Sequence, residues 1–406
     1  MRRPYARLVV ASALAALWIV AGMLLWRTRV PGVDLPTVEP RAYFSAAELE
    51  RAEDFRRLTR PLWAASTALQ LAVVTFLTWK ARPLARRIGR IVGRRMLVGL
   101  ALGLVAVAAS WLAVLPLAGV DHWWRRRYGL SEQSYPAWLG DELVSLGVRA
   151  VLVSIGVAGA LALAGRLGGR WWTAGGPALA AVGLLFVLAQ PLVVQPLFNR
   201  FEPLPDRRLA AEIEELARAV GVRVEKVELA DASRRTTAAN AYVAGIGPTR
   251  RVVLYDTLLD GRFARAEILS VSAHELVHVG RRHLWKGAAW FALLAVPGVW
   301  LLARVTERRG GLRDPALVPL GLLVALAVFL ATLPLQNAAS RRYEAEADWL
   351  ALAATQDAEA AIGLERKLAL SALADPDPPG WVTALISTHP SVMDRISMAR
   401  AYDMRR

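Results

Sequence analysis

His274, Glu275 and His278 are the residues of this chain whose types and spacing most directly support chemistry. On one helix, residues four apart share a face, so His274 and His278 can hold one metal ion between two imidazoles. Glu275 lies about 100° further round. It therefore misses the metal and stands beside a water activated there, as a general base. The spacing calls for a helix over about residues 264–283. Read alone, the five-residue pattern also fits an amphipathic helix with two solvated or core-facing histidines.

A catalytic zinc site usually takes three protein ligands and leaves a position open. The chain has no Cys, so a His and carboxylate set is required, and disulfides and a Cys nucleophile are excluded. His283 is nearest in sequence, but on a continuous helix it sits roughly 180° from His274 and 140° from His278. The longer HExxHxxGxxH pattern fails because Arg281 and Leu284 stand where Gly and His are needed. Glu344 is better placed. His278 lies nine residues before an apolar run starting at Gly287, and Glu344 nine residues after the next run ends at Leu335. Continuous helices would put both roughly 14 Å from the membrane boundary, at matching heights. Asp348, one turn beyond, can accept from a ligand imidazole N–H. Glu346 should point elsewhere.

The elements that position these residues are dominated by apolar runs. Of 406 residues 55% are hydrophobic, and long uncharged stretches recur, the pattern of a helical membrane protein. Seven spans are expected: Leu8 to Trp26, Leu62 to Trp79, Met96 to Val120, Leu143 to Ala164, Ala178 to Leu197, Gly287 to Ala303 and Leu317 to Leu335. The last of the first five should kink at Pro191 and Pro196. The first could be misread as a signal peptide, but it has full spanning length and no good cleavage site. Arg27 to Arg60 reads as an extramembrane connection of amphipathic helix and loop.

The formal charge of +16 would suggest nucleic acid in a soluble chain. Here the basic residues crowd the ends of apolar runs, so membrane orientation and headgroups account for them and no nucleic-acid partner is expected. Lys occurs only at positions 80, 226, 286 and 367; an Arg excess of this kind reads as coding bias. The basic run from Lys80 to Arg95 favours a cytoplasmic face and an inside N-terminus, which would put residues 198–286 outside. His122, beside Trp123 and Trp124, reads as an interfacial structural residue.

Four regions follow: a membrane domain over 1–197, a soluble α+β region over 198–286, two spans over 287–335 and a C-terminal region over 336–406. The second opens with a helix capped by Asp206 and ended by Gly221. A strand within Val222 to Ala230 and a hairpin of Ala241 to Ile246 with Arg251 to Tyr255 come next. The Pro-rich stretch from Asp375 to Gly380 is a loop. No dinucleotide or P-loop pattern appears.

Taken together, His274-Glu275-Leu276-Val277-His278 with His283, Asn337-x-x-Ser340-Arg341-x-x-Glu344-x-x-x-Asp348 and His389-Pro390 with Arg395 resemble the M48 family of zinc metalloproteases. Residues 196–204, Asn240-Ala241-Tyr242 and 253–259 are similar to its type I CAAX prenyl protease branch. Ala345 departs from the aromatic residue usual after the glutamate ligand. The resemblance implies a mostly α, polytopic membrane protein with a small α+β unit of gluzincin type and a large chamber enclosed by its helices. It implies one Zn2+ held by His274, His278 and Glu344, with Glu275 as base and Asp348 and Asn337 behind the ligands. It also implies that His389 and Arg395 stabilise the substrate carbonyl and its oxyanion. Asn240, Ala241 and Tyr242 look like an edge strand that pairs with extended substrate.

The partners implied are the bilayer and a peptide or protein substrate, C-terminal or membrane-associated, with no obligate protein partner. The resemblance implies a site that faces the cytoplasm, contrary to the charge rule, and the Arg-rich bias suggests a bacterial plasma membrane. Membrane-protein quality control is the alternative substrate reading. A non-catalytic scaffold is a third, disfavoured because every ligand and the base are present.

Overall fold

The structure, a computed structural model, describes residues 2–405, and of the first helix the side chains from position 12 onward except Leu14. The first expected span therefore lies partly outside the described side chains. Helix α1 runs Arg2–Trp26, and its described apolar part is Ala15–Trp26. Six further helical stretches are long and apolar enough to cross a bilayer: Ala46–Val92, Arg95–Arg127, Tyr135–Arg170, Trp172–Leu197, His283–Glu307 and Pro315–Thr355. The seven expected spans thus appear as six full-length helices and one shorter apolar segment among the described residues.

Helix α2 (Ala46–Val92) makes the helical part of the expected connection continuous with the second span. Ser45 accepts from Glu48 N–H while Glu48 accepts from Ser45 N–H, a reciprocal cap that starts a 47-residue helix. At 1.5 Å per residue that is about 70 Å, twice the hydrocarbon thickness. The charged stretch before Leu62 is therefore the rigid first third of a helix that continues into the membrane.

Helices α3 (Arg95–Arg127) and α4 (Tyr135–Leu167) pack through small residues. A Cβ on Gly99 would collide with Leu161 Cδ1, so the close approach depends on glycine. Helix α5 (Trp172–Ala189) gives way to a wide turn over Gln190–Val194 and a tight one over Gln195–Leu197, at the two prolines. His122 is buried, stacked on Trp138 and hydrogen-bonded to Gln133 O.

Beyond residue 200 a four-stranded sheet forms from β1 (Phe201–Pro203), β2 (Lys226–Ala230), β3 (Ala241–Ala244) and β4 (Arg251–Tyr255), in spatial order β1-β2-β4-β3. The hairpin β3–β4 is antiparallel, while β2 runs parallel to β4 with Lys226 opposite Arg251. Helix α6 (Arg207–Ala219), capped by Asp206 on Leu209 N–H, and α7 (Arg265–Gly280) cover the sheet through Leu209, Ile213, Ile268 and Leu276. Strand β3 is left with one free edge.

Helix α8 (His283–Glu307) packs on α5, and α9 (Val318–Thr355) returns beside α8 and continues past it alongside α7. Its 38 residues span about 57 Å, so one rigid rod carries both a membrane segment and Glu344. Helices α10 (Ala358–Ala372), α11 (Gly380–Leu385) and α12 (Val392–Asp403) close the far side, with Ile362 and Ile396 in their core.

Candidate metal centre

Helix α7 is shorter than its sequence suggests. It ends at Gly280, Arg282 adopts a left-handed conformation (φ 58°), and His283 begins α8. A left-handed non-glycine residue carries a local cost, met here by surrounding structure. Its effect is to bend the chain so that α7 and the spanning helix α8 meet at the histidines.

His274 and His278 project one turn apart and meet Glu344 from α9. Nε2 of His278 lies 3.0 Å from Nε2 of His274, which lies 3.2 Å from Glu344 Oε2, and His278 Nε2 lies 3.5 Å from Glu344 Oε1. Ligand atoms 2.0–2.1 Å from a tetrahedral zinc stand roughly 3.3 Å apart, so the donor set has the size and chemistry for that ion. Two imidazole nitrogens facing each other are also poor company without a cation between them. Among the described residues, these three form the one group of His and acidic side chains close enough to share a metal.

Each imidazole is held from behind. His274 Nδ1 lies 2.8 Å from Asp348 Oδ1, which fixes a proton on Nδ1 and makes Nε2 the nitrogen that would give up its proton to a metal. Burial disfavours charge on His274, but Asp348 and Glu344 outweigh it and push its pKa up to about 10. The pocket therefore draws in a positive charge. His278 Nδ1 faces His283 Nδ1 at 2.9 Å.

Glu275 is half-buried and lines, with His278 and Glu344, a cleft of about 690 Å³. Burial raises its pKa above the ordinary carboxylate value, although the nearby histidines oppose the shift. Val243, Gly245 and Ile246 line the same cleft, as do Trp290, Phe291 and Tyr343. Apolar walls from two spanning helices thus meet an open sheet edge at the carboxylates.

The sequence-predicted residues divide into three groups. His389 Nε2 reaches Glu344 Oε2 at 3.3 Å while its side chain stays 58% exposed, and Thr388 Oγ1 lies 3.0 Å from its Nδ1. Asn337 lies behind, donating Nδ2–H to Ala384 O at 3.0 Å, and Arg341 donates to Ser387 O at 2.8 Å. Both pin the segment that leads to His389.

Arg395 stands elsewhere. Its guanidinium donates to both oxygens of Asp348 and lies 2.9 Å from Glu365. Burial disfavours its charge, and Asp348 and Glu365 more than restore it. This places Arg395 behind His274, on the side away from the cleft, rather than beside a substrate carbonyl.

On β3 the ladder leaves the backbone groups of every second residue free. Tyr255 N–H donates to Asn240 O, so residues 240, 242 and 244 spend their backbone groups on β4. Ala241 and Val243 point theirs to the free edge. Asn240 Oδ1 already accepts from Ala241 N–H, and the Tyr242 hydroxyl donates to Gln195. The free edge nearest the cleft is thus Val243, which sequence reasoning missed for want of the ladder's alternation.

Two family models account for nearly the whole chain: Peptidase family M48 over residues 203–403, and the CAAX prenyl protease N-terminal region, five membrane helices, over 33–200. The chain belongs to peptidase family M48. It is 28% identical to the uncharacterized metalloprotease YhfN of Bacillus subtilis over 89% of this chain and 87% of that one. It is 32% identical to the CAAX prenyl protease 1 homolog of Oryza sativa over 57% of this chain, spanning 58% of that relative. The crystal structure of S. mikatae Ste24p matches with a TM-score of 0.76 at 20% identity, over 96% of this chain and 98% of that one. At that identity the likeness carries the fold alone, a polytopic helical membrane protein with a small sheet; that the chain is a metalloprotease rests on the family models.

Proposed function

We propose that this M48 chain is a zinc-dependent endopeptidase that cuts extended peptide segments at the edge of the bilayer. The observation that carries it is the meeting of His274, His278 and Glu344 within 4.8 Å, beside a half-buried Glu275 and the free edge of β3. When bound, zinc acts as a Lewis acid and makes water a nucleophile at neutral pH. Glu275 accepts the proton that water gives up, aided by its raised pKa, and passes it to the departing amine. The Thr388 hydroxyl can donate to His389 Nδ1, leaving Nε2–H to donate to the substrate carbonyl oxygen as negative charge builds there. Asp348 and Arg395 hold His274 in place.

The membrane domain over residues 1–197 and the spans over 287–335 frame a catalytic unit built from 198–286 and 336–406, with Asn240, Ala241, Tyr242 and Val243 along the binding edge. Apolar walls from Trp290 and Phe291 suit a substrate that arrives from lipid. These apolar walls would take a prenyl chain or any other apolar group, so the substrate class is membrane-associated peptides in general, and the location a bacterial plasma membrane.

The test is Glu275→Gln in detergent-purified protein. Metal analysis should show zinc retained, while cleavage of a quenched fluorescent peptide library falls by about 10²-fold or more. Cleavage at the wild-type rate would sink the mechanism. Parallel assays with farnesylated and unmodified C-terminal peptides separate a prenyl-specific enzyme from a general one.

A further inference from the structure

Glu346 has no part in the chemistry so far, yet it is fully buried two residues from Glu344. Two residues further along α9 it lies about 200° round the helix from Glu344, and there it becomes a hub. Its Oε1 accepts from Arg281 Nε at 2.9 Å and from the backbone N–H of Arg29 at 3.0 Å. Its Oε2 accepts from Lys286 Nζ at 3.3 Å and lies 2.9 Å from His283 Nε2. Four chain segments thus converge on one carboxylate: the connection after α1, the end of α7, the start of α8 and α9 itself. A fully buried carboxylate is costly unless it is paired this completely.

His283 extends the hub to the metal centre. For Nε2 of His278 to offer a lone pair, its proton must sit on Nδ1. That N–H faces Nδ1 of His283, 2.9 Å away, which must then accept and carry no proton. The proton of neutral His283 is therefore on Nε2, and its partner there is the Glu346 carboxylate, an acceptor only. Every donor meets an acceptor in this arrangement. Reversing any tautomer sets two lone pairs or two protons against each other. The ring of His283 is also clamped by stacking on Tyr343, with centroids 4.9 Å apart and planes 16° apart. Tyr343 in turn donates to Leu25 O in α1.

We propose that Glu346 is a positioning residue which, through His283, fixes the tautomer of His278 and so sets the zinc affinity of the site. The proposal rests on the zinc reading above, since it concerns how one ligand presents its nitrogen. It makes His283 a relay rather than a ligand. It also couples the connection after α1 to the metal, because Arg29 N–H shares the same carboxylate.

Zinc affinity of the detergent-purified full chain, measured by competition with a fluorescent chelator, tests this without reference to turnover. Glu346→Leu removes the acceptor, and His283→Phe removes the relay while keeping a stacked ring and leaving Glu346 its other partners. Each should weaken zinc binding by about 10- to 100-fold. The double variant should be no weaker than the worse single one, because both act through one chain of contacts. Glu346→Gln, whose carbonyl oxygen still accepts from His283, should stay close to wild type. Wild-type affinity in both Glu346→Leu and His283→Phe overturns the relay, as does a Glu346→Gln variant as weak as Glu346→Leu. A wild-type chain that takes up no zinc would overturn the metal reading itself.

Discussion

Asp348 shares its carboxylate between a candidate metal ligand and a cation: Oδ1 lies 2.8 Å from His274 Nδ1, and Oδ2 lies 2.9 Å from Arg395 Nε. Glu365 holds the far side of the same guanidinium at 2.9 Å. The row Glu365–Arg395–Asp348–His274 joins α10, α12, α9 and α7, so the ligand's orientation depends on the packing of the C-terminal helices.

Replacing Asp348 by Ala removes the acceptor for His274 Nδ1–H and one of two partners of Arg395. Zinc affinity should fall about 10- to 100-fold. Breaking a buried ion pair costs roughly 3–5 kcal/mol; Glu365 remains with Arg395, so the loss should sit at the lower end. Asp348→Asn keeps an acceptor oxygen and should lose less of both. Chelator competition and thermal unfolding read the two effects separately, and an Ala variant with wild-type affinity would contradict the role of Asp348.

The pH dependence of metal uptake follows from His274. Its pKa in the metal-free fold, pushed up to about 10 from an ordinary 6.5, means that the folded chain holds a proton the unfolded chain has released between those values. The associated stability is fully present below the ordinary value and is lost as pH rises towards the folded one. Zinc must displace that proton, so its affinity should rise about tenfold per pH unit across the neutral range from this group alone. Calorimetry in buffers of different ionisation enthalpy would count the proton. Uptake without proton release would contradict the geometry around His274.

How much of this was legible in the sequence depended on whether periodicity governs the backbone. The pair His274 and His278, the return of Glu344 on α9 and the acceptor Asp348 all follow from unbroken helices. His283 looked misplaced because the left-handed residue is Arg282 rather than Gly280, so the bend falls two residues after the glycine that could have marked the helix end. Arg395 read as an oxyanion donor from its place in a motif, yet two carboxylates from distant helices take up its donors. Strand β1 and the parallel pairing of β2 with β4 are tertiary choices that strand pattern alone does not encode. The charged residues 46–60 read as a connection because polarity, rather than capping by Ser45, dominated the pattern.

Arg341 should affect turnover without affecting the metal. It donates to carbonyls of Thr383 and Ser387, and Asn337 to that of Ala384, so together they fasten the segment before His389 to the rod that carries Glu344. Arg341→Ala loosens that segment, and a small displacement of a positioned donor costs on the order of 10- to 100-fold in rate. kcat should fall while zinc affinity holds. Loss of zinc in parallel would mean that the segment supports the ligands themselves.

The edge strand offers a test that depends on register alone. In the β3–β4 ladder Tyr242 pairs with Val253 through hydrogen bonds, whereas Val243, opposite Val252, directs its N–H and carbonyl to the free edge. Proline lacks the N–H and is tolerated on an edge where that group faces outward. Val243→Pro should therefore leave the sheet and zinc content largely intact while removing one donor for extended substrate, raising KM by about fivefold to tenfold for a net hydrogen bond of roughly 1 kcal/mol. Tyr242→Pro instead deletes a ladder hydrogen bond and should destabilise the fold. If Val243→Pro unfolds the protein and Tyr242→Pro does not, the register is offset by one; if neither changes KM, substrate binds elsewhere along the cleft.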